Sequence, residues 1–136
     1  MLWFALFLSA CEDANQKSLE KPAYLISRDT MIKIMTEIHL AESGISMMGI
    51  DYNRATALYQ QYHRDILGKY KLDTAQYRQS YDYYMQSTLE MEYILTLVED
   101  SLVRIQASEK QKMGIATPTY PNTQPTLPVD SLKKVN

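Results

Sequence analysis

No proline interrupts the chain between Pro22 and Pro118, and within that stretch apolar residues return at steps of three and four. That spacing places them on one face of a helix, whereas the period-two alternation of a half-buried strand is absent. Proline would break such a run, because it removes a backbone donor and clashes with the preceding turn. The expected fold is all-α: four amphipathic helices in a small bundle-like domain over residues 24–112. With 136 residues in all, the chain has room for one such domain.

The helix limits follow from caps and stripes. In the first helix Met31, Ile34, Met35, Ile38, Ala41 and Ile45 share a face, Ser27 is a candidate N-cap, and Gly44 is expected to end or interrupt the helix. Asp29–Lys33 and Lys33–Glu37 are spaced to pair along its outer face. Residues 44–52 read as a connection packed by Met47, Met48 and Ile50. A second helix is expected over Tyr52 to Lys69, with Ala55, Leu58, Tyr59, Tyr62, Ile66 and Tyr70 inward and Asp65–Lys69 paired. Asp73 with Gln76, and Ser87 with Glu90, are two capping-box signatures in close succession. They predict two helices, 74–85 and 88–112, meeting at a corner at Gln86-Ser87; one continuous helix is the alternative.

The chain ends carry a different composition. Residues 1–10, MLWFALFLSA, are almost wholly apolar and uncharged. A helix of that length reaches about 15 Å, half of a bilayer's hydrocarbon core, so it suits a secretory signal and not a membrane span. It closes on Leu8-Ser9-Ala10-Cys11, which resembles the lipobox of bacterial lipoproteins. That resemblance implies cleavage between Ala10 and Cys11 and a diacylglyceryl thioether on Cys11, the only cysteine. No Lys or Arg precedes Cys11. A positive n-region is normally required, so the true start is expected upstream, or the chain is a fragment. Residues 11–23 would then be a lipidated tether. Glu12-Asp13 resemble the surface-export signal of Bacteroidetes lipoproteins. The tail, 113–136, holds four prolines and little to bury, and disorder is expected there.

Several blocks of the body resemble a family of uncharacterised Bacteroidetes lipoproteins, domain of unknown function 4296. They are Leu25-Ile26-Ser27 leading into Met31-Ile32-Lys33-Ile34-Met35, and then Glu37-Ile38-His39-Leu40-Ala41-Glu42. Tyr70-Lys71-Leu72-Asp73 follows, and Tyr77, Ser80, Tyr81 and Tyr84 lead into the last helix. The likeness runs from Pro22 to Ile105. Lys71 stands where a turn glycine is usual, and Gln86-Ser87-Thr88 replaces a proline-containing corner. The resemblance implies a small helical lipoprotein and supplies no activity.

Composition narrows the function classes. A net charge of −2 removes the broad electrostatic case for nucleic acid. With four glycines there is no GxGxxG or GxxxxGK[ST] phosphate loop, and Gly-x-Ser-x-Gly is also absent. His39 and Glu42 share a helix face, but the order is the reverse of a di-iron Glu-x-x-His motif and occurs once. His63 and Asp65 fall on different faces. Neither a catalytic nor a metal site is expected, and no cofactor beyond the lipid on Cys11.

Eleven tyrosines are the compositional peculiarity. Tyr59, Tyr62, Tyr77, Tyr81 and Tyr84 fall on core stripes, while Tyr52, Tyr83 and Tyr93 are the candidate exposed patch. The functional expectation is a membrane-anchored lipoprotein of the cell envelope, at the periplasmic face or the outer-membrane surface. It would be a non-catalytic module for protein interaction or assembly with an envelope partner. The alternative is a glycan- or peptide-binding accessory that uses exposed tyrosines. Oligomeric state is left open.

Overall fold

A computed structural model describes residues 20–116 of the chain. The expected signal, the lipid site at Cys11, most of the tether and most of the tail lie outside the described residues. Four helices follow one another: α1 (Arg28–Met47), α2 (Tyr52–Lys69), α3 (Thr74–Met85) and α4 (Thr88–Lys112). Neighbours pack around a ring: α1 lies against α2 and α4, α3 lies against α4, and α2 and α3 meet only loosely. Met31, Ile34, Leu67 and Ile94 form the fully buried centre, joined by Ile38, Leu72, Tyr84, Met91 and Val98. Among the described residues no helix is long and apolar enough to cross a membrane.

Caps set the limits of the helices. Ser27 accepts from the Thr30 N–H at the start of α1, and Asp51 accepts from Asn53 and Arg54 N–H groups at the start of α2. At α3 the capping box is complete: Gln76 N–H donates to Asp73 and the Gln76 side chain accepts from the Asp73 N–H. At α4 only half of it forms. Ser87 accepts from Glu90 N–H, but the Glu90 side chain turns inward to Arg28 instead of back to Ser87. The corner between Met85 and Thr88 is therefore real, and α3 and α4 are separate helices.

Gly44 does not end α1. The helix continues to Met47, and Gly49, with φ +62°, is where the backbone turns left-handed. A mid-helix glycine costs about 1 kcal/mol relative to alanine, and burial of Ile45 on the next position outweighs it. The link to α2 is accordingly shorter than expected, and Met47 is 86 % exposed, not packed. The charge pairing also differs. Lys33 and Asp65 make no ion pair among the described residues. Glu37 and Lys69, each expected to pair within its own helix, pair with each other at 2.8 Å, and Tyr70 Oη donates to the same carboxylate at 2.7 Å. Burial opposes ionisation of Glu37, but the Lys69 and Tyr70 hydrogen bonds outweigh it and hold its pKa below the ordinary value.

The C-terminus of α2 is a Schellman motif. Leu72 N–H donates to the Leu67 carbonyl at 3.1 Å and Lys71 N–H to the Gly68 carbonyl at 3.0 Å. Lys71 occupies the left-handed position of that motif, with φ +57°, the residue type being lysine where the family resemblance leads one to expect glycine. The same motif ends α4 with a glycine, Gly114, at φ +71°. Burial of Leu72 against the core beside Leu67 holds the strained lysine in place.

An extended strap, residues 24–26, crosses α3 before α1 begins. Ile26 N–H donates to Ser80 Oγ at 3.1 Å, and Tyr84 Oη donates to the Ile26 carbonyl at 2.6 Å. At the first residue of α1, Arg28 holds Glu90 through two hydrogen bonds of 2.6 Å, although the Glu90 side chain is only 3 % exposed. The Glu90 hydrogen bond raises the Arg28 pKa against the opposing effect of burial.

Two substitutions test this construction by urea unfolding. Lys71→Gly relieves the left-handed strain and is expected to raise stability by about 0.5–1 kcal/mol, with Lys71→Ala giving no gain. Arg28→Met strands a buried carboxylate and is expected to cost about 2–3 kcal/mol, below the usual range of about 3–5 kcal/mol because Arg28 is partly exposed. Adding Glu90→Leu to Arg28→Met should recover most of that loss.

Candidate functional site

Two larger concavities stand out among the described residues. The first follows from α1 and α4, whose C-terminal halves run beyond the reach of α3. Leu40 from α1, with Leu95, Leu102, Val103 and Ile105 from α4, floor an open groove of about 800 Å³. Leu40, Leu95 and Ile105 are exposed. Its rim carries Glu42, Glu99 and Glu109. Glu42 is hydrogen-bonded to His39 Nδ1 at 3.2 Å and Glu109 to Lys112 Nζ at 2.7 Å, while Glu99 makes no ion pair among the described residues.

The second concavity follows from the loose meeting of α2 and α3. The inward stripe of α2 runs Tyr59, His63, Ile66, Leu67 and Tyr70, at helical steps of four, three, one and three. Tyr62, expected on that face, is instead 40 % exposed. His63 takes the inward place. Ring contacts then pass from helix to helix: Tyr59–His63 at 5.9 Å, His63–Tyr77 edge-on at 5.4 Å, and Tyr77–Tyr81 at 6.2 Å. These rings line a cleft of about 570 Å³ together with Arg64 and Arg78. A smaller hollow shares Tyr59, Tyr77 and Tyr81 with this cleft and His39, Glu42 and Leu95 with the α1–α4 groove.

Burial governs the ionisation of the ring ladder. It lowers the His63 pKa below the ordinary histidine value, against an opposing pull from the Glu42 charge, so the imidazole is neutral at pH 7. It raises Tyr59, and with the neighbouring Tyr81, Tyr59 and Glu42 charges it pushes Tyr77 to about 12. Tyr70 is pushed to about 12 by burial and by its hydrogen bond to Glu37.

The expected tyrosine patch is placed as follows. Tyr52, the first residue of α2, is 82 % exposed. Tyr83 is half-buried, its ring 6.0 Å from that of Tyr84, and it lines a small hollow with Arg28 and Glu90. Tyr93 is also half-buried, near enough to Arg28 to influence its charge. Tyr83 and Tyr93 thus both lie by the Arg28 pair. The expected face-sharing of His39 and Glu42 is realised, and no group of three metal-ligating side chains occurs among the described residues. The ring cleft itself was not read from sequence. Its signal was present in two i,i+4 aromatic pairs, Tyr59/His63 and Tyr77/Tyr81, each with an arginine beside one of its rings: Arg64 follows His63, and Arg78 follows Tyr77.

The fold and its two clefts define a small all-α domain of four helices. The chain belongs to the family described as Domain of unknown function (DUF4296), whose family model matches residues 22–108. No curated protein and no solved structure matches it.

The raised phenol pKa values give a spectroscopic prediction. In an alkaline titration followed by tyrosinate absorbance, Tyr70 and Tyr77 should ionise near 12, after the exposed tyrosines. Tyr70→Phe and Tyr77→Phe should each remove part of that late phase. The sign for stability follows from the raised folded-state value. Each phenol's contribution is present in full below the unfolded value near 10 and is lost as pH rises through about 12.

Proposed function

We propose that this chain is a lipid-anchored protein of the cell envelope whose helical domain is a non-catalytic docking module for another protein. Anchoring is supported by Leu8-Ser9-Ala10-Cys11 and the apolar run before it. Each buried CH₂ of an acyl chain contributes about 0.8 kcal/mol, so two or three chains on Cys11 hold firmly where one does not. Membrane attachment in this reading is through the lipid, at the periplasmic face or the outer-membrane surface.

The observation that carries the docking role is the α1–α4 groove. Its leucine and isoleucine floor is unshielded, and its rim is acidic. A partner segment that fits is an amphipathic helix, apolar at i, i+3, i+4 and i+7 and flanked by Lys or Arg. A second reading, a ligand-holding accessory, has its own observation in the ring-lined cleft between α2 and α3.

Photo-crosslinking in intact envelopes tests the docking role. A photoreactive residue at Leu95 is expected to give one discrete adduct, with the crosslinked partner peptide basic and helix-forming. The same residue at Lys33, exposed on α1 and away from the groove, should not give it. An identical pattern from both positions, or none from Leu95, would count against docking. Cys11→Ala should release the domain from the membrane fraction, and membrane retention of that variant would count against the anchor.

A further inference from the structure

We propose that the α2–α3 cleft binds an acidic saccharide, a pyranose that carries a carboxylate. The inference rests on the ligand-holding reading, is independent of the α1–α4 groove, and names the ligand class.

Three observations converge on the cleft. First, Arg64 and Arg78 both line it, one from each helix, and neither makes an ion pair among the described residues. Two unpaired guanidiniums on the wall of one hollow supply positive charge and N–H donors for a planar carboxylate, which can accept two parallel hydrogen bonds from one of them. Asp82 is the one carboxylate of the lining, so the cleft keeps a net positive charge with His63 neutral.

Second, the rings are inclined to one another. His63 and Tyr77 are 79° apart, Tyr59 and His63 are 42° apart, and Tyr77 and Tyr81 are 34° apart. Rings so inclined do not make the parallel slot that sandwiches a nucleobase. They offer separate apolar faces, which suit the C–H faces of a sugar ring. Third, Gln60, Thr74 and Asp82 add amide, hydroxyl and carboxylate groups to the same lining, a mixed donor and acceptor set for vicinal hydroxyls. The volume, about 570 Å³, lies within the range of small-molecule sites.

Calorimetric titration of the full chain decides the matter. Tetragalacturonate and a hyaluronan tetrasaccharide are the acidic probes, methyl-esterified tetragalacturonate and maltotetraose the neutral ones, and AMP the nucleotide control. At least one acidic tetrasaccharide should bind. Methyl esterification, or Arg64→Gln combined with Arg78→Gln, should weaken it at least tenfold, and added salt should weaken it further. Both arginines are exposed, so the double variant should keep the helical circular dichroism of the parent. Tyr59→Leu, which keeps apolar volume but removes a ring face, should also weaken binding, whereas Tyr62→Leu, outside the cleft, should not. Equal binding of the acidic and neutral saccharides would overturn the acidic class and leave a ligand-holding cleft. Tighter binding of AMP would overturn the saccharide. Absence of binding to every probe would overturn both the class and the ligand-holding reading.

Discussion

A carboxylate that is nearly inaccessible to water must be held by a counter-charge, and for Glu90 that holder is Arg28. The two residues are 62 positions apart, so the pair brings the start of α1 and the start of α4 together. It draws on the cap of α4 to do so, because Glu90 forgoes its return bond to the Ser87 N–H. Next to it, the strap crosses α3 with its Ile26 N–H and carbonyl both satisfied by α3 side chains. Three helices are therefore registered at one end of the domain by polar contacts, and the apolar core fills in behind them.

Registration at that end leaves the opposite end under-determined by packing, and both concavities owe their existence to this. α4 is the longest helix, with 25 residues against 12 in α3. Its last turns have α1 beside them and no α3, so leucine and isoleucine side chains face outward. On the other side α2 is tied to α1 by Glu37, Lys69 and Tyr70, which sets its distance from α1 without reference to α3. The gap between α2 and α3 is then bridged by ring edges, not closed by aliphatic packing.

Local signals were legible in the sequence, and long-range ones were not. The start of α1 at Ser27, the Asp73/Gln76 box and the Ser87 corner are short-range hydrogen-bond chemistry, so the limits of α2, α3 and α4 agree with expectation residue for residue. Gly44 misled because propensity is a small term that burial of Ile45 overrides. Tyr62 and His63 differ by one step on the helix wheel, and amphipathic counting favoured the more apolar of the two. Glu37 and Lys69 each had an eligible partner within its own helix, but packing offered a better one across the interface. The ring cleft joins residues of two helices whose relative placement no spacing rule encodes. Lys71 is the instructive exception. Its departure from glycine marked in sequence the very residue that adopts a left-handed backbone.

The strap also sets how the domain bears a load. Any pull on the chain before Tyr24 meets the Ile26 contacts with Ser80 and Tyr84 before it reaches the first turn of α1. The force is then shared by hydrogen bonds on both sides of one residue and by the ion pair two residues later, instead of peeling α1 open turn by turn. Mechanical resistance is concentrated at the end where the chain leaves the domain toward its N-terminus. The α1–α4 groove is borne by the far halves of α1 and α4, outside that line of tension.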